Sequence, residues 1–76
     1  MPHTNEEYAK QLGQLLRELR KSRNLTLYQA EETLGLDWKW LQKVETGKKN
    51  IYFASLVDIA KAYDVSLSQL FKNFKY

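Results

Sequence analysis

A Ser or Thr followed three residues later by Glu or Gln recurs at Thr4/Glu7, Thr26/Gln29 and Ser66/Gln69. At this spacing the hydroxyl accepts from the backbone N–H of the later residue, whose side chain reaches back to the N–H of the first. Each pair therefore opens a helix. With three such starts and no alternating apolar run of strand length, the chain reads as helical throughout. From Thr4, the residues Tyr8, Leu12, Leu15, Leu16 and Leu19 form one apolar stripe at helical spacing, and Asn24 suits a left-handed stop. From Thr26 a short helix runs from about Leu27 to Leu34 and ends at Gly35. Asp37 caps a third helix that turns Leu41 and Val44 inward and stops at Gly47. Phe53, Leu56, Val57, Ile59, Ala60 and Tyr63 mark a fourth helix without a conventional capping residue. Asp64 breaks it, and Ser66 opens a fifth that ends near Phe71. Residues 1–3 and 73–76 are expected to fray unless Phe71, Phe74 and Tyr76 find a surface.

A chain of 76 residues can bury one modest core, so residues 1–76 are expected to form a single domain with its core over about 4–72. There is no Cys, and His3 has no companion ligand, so neither a disulfide nor a metal is expected. This favours a reducing compartment, the cytoplasm by default, and no segment has the length or apolarity of a signal peptide or membrane span. The formal charge is +3, but its distribution says more. Arg17, Arg20, Lys21 and Arg23 face only Glu18 over residues 17–23, and Lys39, Lys43, Lys48 and Lys49 face only Glu45 over residues 38–50. The stretch between carries only Glu31, Glu32 and Asp37. Such clusters suit a polyanionic partner, although a solvated helix face has the same composition.

Enzymatic chemistry finds no support. Glu31 and Glu32 are sequence neighbours and diverge by about 100° on a helix, which prevents them from sharing a substrate as an acid/base pair. Thr4, Thr26 and Ser66 are accounted for as caps, and no hydroxyl or lysine has an identifiable base beside it. The three glycines are isolated, so no phosphate-binding loop exists and no cofactor is expected.

Two short helices joined by a Gly-containing turn have the form of a helix-turn-helix. The stretch LTLYQAEETLGLDWKWLQKVETGK at 25–48 resembles the phage repressor and Cro-type (XRE) helix-turn-helix family, with its Leu-Thr start, Leu-Gly turn and Val-Glu-x-Gly-Lys close. LGQLLRELRKSRNLT at 12–26 and LVDIAKAYDVSLSQLF at 56–71 extend the resemblance to about residues 8–71. It implies an all-α, five-helix, lambda-repressor-like fold with the helix-turn-helix at about 26–46, and a transcriptional regulator that binds double-stranded DNA, often as a homodimer.

On a helical wheel Lys39 and Lys43 point away from Leu41 and Val44, with Gln42 and Trp40 on the flanks and Trp38 at the N-terminal end. Trp38, Lys39, Gln42 and Lys43 are thus the candidate base readers: lysine donates to guanine O6 and N7, glutamine pairs with adenine, and an indole face suits a thymine methyl. Tyr28, Trp40, Lys48, Lys49 and Asn50 are the candidate phosphate contacts, which fix register without reading sequence. Trp40, nearer the apolar face, suits core packing equally well.

The sequence departs from the family pattern at several positions. Leu27 stands where a phosphate-anchoring Gln is usual, and Ile51 where proline is frequent. Glu31 replaces a small residue at the crowded junction of the second and third helices, so either the helices spread or Glu31 swings out to pair with a lysine. Asp37 is expected to be occupied as a cap. An alternative function is a protein-interaction module that uses Trp38, Trp40 and Leu27 as an apolar docking patch. For a homodimer, Tyr63, Leu67, Leu70, Phe71, Phe74 and Tyr76 supply the candidate interface.

Overall fold

In the computed structural model, which describes residues 4–75, the three expected capping boxes close at both ends. Thr4 Oγ1 accepts from the Glu7 N–H at 3.2 Å while Glu7 Oε1 accepts from the Thr4 N–H at 2.9 Å. Thr26 with Gln29 and Ser66 with Gln69 repeat the arrangement. The helices are α1 (Asn5–Ser22), α2 (Leu27–Leu34), α3 (Trp38–Glu45), α4 (Phe53–Ala62) and α5 (Leu67–Leu70). Asp37 caps α3 through the Trp40 N–H, and α4 begins after Tyr52 without a side-chain cap, as the sequence indicates. Asn24 and Asp64 adopt left-handed backbone after α1 and α4, at φ 59° and 56°. No strand occurs among the described residues.

The core gathers Leu16 of α1, Val44 of α3, Leu56 and Ile59 of α4, Tyr63 and Leu70. Phe53 does not join it. As the first residue of α4 it stands a full turn before Leu56, where the buried face begins, and remains 69% exposed.

The C-terminal segment is held rather than frayed over residues 73–75. Phe71 meets Phe74 edge-on at 5.2 Å, and Phe74 stacks on Tyr8 of α1 at 6.0 Å. Gln11 then brackets the peptide of Lys75, donating to its carbonyl at 2.7 Å and accepting from its N–H at 2.5 Å. The partner surface for the tail is thus α1 itself. Residues 1–3, with His3, and Tyr76 lie outside the described residues.

This arrangement takes two residues out of the expected dimer surface. Tyr63 and Leu70 are interior, 3% and 8% exposed, while Leu67 and Phe71 are half-buried against the core and Phe74 is engaged by Tyr8. A small chain has little apolar surface to spare once one core is filled, and residues at the α4–α5 junction are drawn inward.

Within that core the Tyr63 hydroxyl has no hydrogen-bond partner among the described residues. Burial pushes its phenol up to about 12, with the Glu45 charge adding to the effect and Arg20 opposing it. The unfolded chain ionises first, near 10. The contribution to stability is therefore full below about pH 10 and is lost as pH rises towards 12. Tyr63→Phe is expected to match or exceed the parent by up to about 1 kcal/mol at neutral pH, and to lose less stability between pH 10 and 12. Urea unfolding of both proteins across that range checks this, and a large destabilisation at neutral pH would mean that the hydroxyl is bonded in the folded state.

Candidate nucleic-acid interface

The placement of α3 begins with a buried ion pair. Arg20, in the last turn of α1, donates through Nε to Glu45 Oε2 at 2.9 Å and through one terminal nitrogen to Oε1 at 2.8 Å. Its other terminal nitrogen donates to the Leu25 carbonyl at 2.8 Å, just before α2. Both side chains are nearly inaccessible, and the bond to Glu45 holds the guanidinium pKa above its ordinary value against the opposing effect of burial. Arg20 therefore leaves the surface cluster to which its sequence position assigned it. The missed signal is the spacing of Leu41, Val44 and Glu45, which puts the carboxylate on the buried stripe of α3, where only a paired charge is tolerated. Arg23 is also engaged, donating to the Tyr63 carbonyl at 2.6 Å. Arg17 and Lys21 remain as exposed cations of that cluster.

The crossing of α1 and α3 is close because Gly13 faces the end of α3. A Cβ there would collide with the Val44 carbonyl oxygen and lie 2.5 Å from that of Glu45. With Leu41 and Val44 fully buried, the outer face of α3 presents Lys39, Gln42 and Lys43 to solvent, all three as expected. Trp40 is half-buried and packs against the core with part of its surface, in keeping with its place near the apolar side of α3.

Trp38 is half-buried, and its ring meets Tyr28 of α2 at a centroid distance of 4.7 Å with a 50° tilt. Lys39 Nζ lies 5.7 Å from the Trp38 ring centroid. Glu31 swings outward, but it reaches the Trp38 N–H at 3.1 Å and not a lysine. Together with Asp37, which accepts from the Trp40 N–H at 3.2 Å, it sets two carboxylates on the first turn of α3.

After α3 the chain turns through Gly47, at φ 74°, where a Cβ would meet Lys10 at 2.6 Å. Lys48, Lys49 and Asn50 follow as an exposed strip, with Lys49 and Asn50 edging a groove formed with Tyr8, Leu12, Ile51 and Phe74. Tyr52 beyond it is 83% exposed, which no periodicity in the sequence foretells. Leu27 is half-buried in a cleft with Arg17, Gln42 and Thr46. Leu27, Trp38 and Trp40, the residues of the expected docking patch, are each half-buried, with Trp40 packed against the core and Trp38 against Tyr28.

Two short helices in a tight turn, the second exposed along one face and held from behind by a third, define a helix-turn-helix protein. The chain belongs to the helix-turn-helix domain family, whose model matches residues 11–70. Its resemblance to the phage repressor and Cro-type branch holds in three dimensions as well. An HTH_3 family transcriptional regulator from Vibrio cholerae superposes with a TM-score of 0.83 at 31% identity, covering 93% of this chain and 40% of that one. The restriction-modification controller protein C.AhdI from Aeromonas hydrophila gives 0.80 at 30% identity, over 91% of this chain and 100% of its own. The BldD DNA-binding domain of S. venezulae gives 0.80 at 32% identity, over 84% and 96%. The chain thus spans less than half of the Vibrio regulator but the whole of the controller protein. No curated protein sequence matches it. No helix among the described residues is long and apolar enough to cross a membrane.

Removing one member of a buried ion pair leaves the other charge uncompensated, at a cost of about 3–5 kcal/mol, whereas replacing both by apolar residues is far less damaging. Glu45→Ala is accordingly expected to lose most of the stability of a domain this small. The double variant Arg20→Met, Glu45→Leu should recover much of it. Thermal and urea unfolding of the two variants measure the effect, and a stable Glu45→Ala would show that α3 is held by packing alone.

Proposed function

We propose that this chain is a sequence-specific DNA-binding transcriptional regulator, that its 76 residues act as one domain, and that α3 reads the major groove. The observation that carries the reading is the outer face of α3. Lys39, Gln42 and Lys43 stand together in solvent, opposite Leu41 and Val44, on a helix fixed by the Arg20–Glu45 bridge. The descriptions of the relatives support it: a transcriptional regulator, a controller protein and a DNA-binding domain, all at 30% identity or above.

In this role Lys39 and Lys43 donate to guanine O6 and N7, and Gln42 pairs with adenine. Lys48, Lys49 and Asn50 follow the phosphate backbone. A homodimer would set two copies of α3 one helical turn of DNA apart, about 34 Å. Of the residues expected at its interface, Leu67, Phe71 and Phe74 retain partial exposure. A regulator of this kind is not an enzyme and works in the cytoplasm, where its DNA is.

Lys43→Ala is expected to weaken binding to a selected duplex by about 1–3 kcal/mol and to relax the preference at one base pair per half-site. Helicity should be unchanged, since the side chain is exposed. Fluorescence anisotropy against single-substitution duplexes reads both effects, and unaltered specificity would move Lys43 out of the groove.

Replacing Lys48 and Lys49 together by Ala should weaken all duplexes alike. The slope of log affinity against log salt should fall by about 0.9 for every phosphate that a subunit no longer neutralises. Titrations at several salt concentrations test this. A changed sequence preference at constant slope would make the loop a base reader.

A further inference from the structure

Tyr28 is the second residue of α2 and Trp38 the first of α3, so the tight turn brings two helix starts, and with them two aromatic rings, to one place. Their 4.7 Å separation is direct contact, although Tyr28 is 62% exposed and shares little with the core. Each ring restricts the other, and the pair is ordered before any ligand arrives. Lys39 stands over the Trp38 ring, which keeps a cation beside this apolar surface.

The electrostatics of the same turn decide what the surface can accept. A helix start ordinarily attracts phosphate through its unpaired N–H groups and dipole. Here the N–H groups of Trp38 and Trp40 are taken by the carboxylates of Glu31 and Asp37, and these negative charges oppose a phosphate at that end. What remains is an apolar wall with a lysine beside it. The one apolar group that base edges display in the major groove is the 5-methyl of a pyrimidine.

We propose that Tyr28 and Trp38 form a preassembled aromatic wall that reads the 5-methyl group of thymine, or of 5-methylcytosine, in the major groove. The proposal rests on the groove-reading role of α3 set out above. Lys39, held at the edge of the wall, donates to N7 and O6 of a guanine in the neighbouring base pair. Tyr28 acts through its ring, not through its hydroxyl as a phosphate anchor.

The test starts from a duplex selected out of a random pool by the full chain. Each thymine is replaced in turn by deoxyuridine, which keeps the pairing and removes only the methyl. At one position per half-site the dissociation constant should rise about fourfold, the value of one buried methyl-sized group. With a cytosine at that position, adding its 5-methyl group should tighten binding by about the same factor. The thymine-to-uracil ratio should fall to one in Trp38→Ala and in Tyr28→Ala, and survive in Tyr28→Phe. Because Tyr28 is exposed, its variants carry the test even if Trp38→Ala unfolds. Specific binding that ignores the methyl at every thymine overturns the proposal, as does a methyl effect that persists without either ring, or one lost in Tyr28→Phe. Failure to bind any duplex would instead remove the DNA-binding reading itself, and this proposal with it.

Discussion

The bidentate bridge from Arg20 to Glu45 ties together three parts of the chain that are distant in sequence: the last turn of α1, the last turn of α3 and, through the Leu25 carbonyl, the entrance to α2. Two charges leave water to form it, so its value lies less in net stability than in the arrangement it enforces. An α3 that slid or rotated would strand a buried carboxylate and a buried guanidinium together. Gly13 complements the bridge by letting the backbones of α1 and α3 approach where any Cβ would collide with carbonyl oxygens. The pair fixes the angle of α3, and the glycine fixes its distance.

With its back held in this way, α3 can leave its outer face to polar side chains that contribute nothing to folding. Lys39, Gln42 and Lys43 are free to be chosen for what they meet in solution. The first turn of α3 is different, because Glu31 and Asp37 satisfy its amides and invert the usual charge at a helix start. Cations on the flank and in the following loop, together with carboxylates at the tip, give this surface a polarity along its length as well as a net sign.

The same shortage of material shapes the other end of the molecule. A domain of this size has few apolar residues to cover its core, and the aromatic tail is used for that purpose. Phe74 closes over Tyr8, and Gln11 satisfies the exposed peptide of Lys75 at both polar atoms. Residues that look surplus in the sequence thus cover part of α1.

Local chemistry was legible without coordinates. The caps at Thr4, Thr26, Asp37 and Ser66, the stops at Asn24 and Gly35, and the inward pair Leu41 and Val44 all depend on neighbours within one or two turns. The solvent face of α3 follows from the same periodicity, which is why Lys39, Gln42 and Lys43 could be placed in advance. Contacts across the chain were not legible. Arg20 looks like one more surface cation until Glu45, 25 residues away, is brought beside it. Tyr63, Leu70 and Phe74 look like a free apolar face until the core encloses the first two and Tyr8 meets the third, and Glu31 looks misplaced until it meets the Trp38 amide. Helical spacing specifies which side of a helix a residue occupies. Only tertiary packing decides whether that side meets water, a counter-charge or another helix, because that outcome depends on which surfaces compete for a core too small to hold them all.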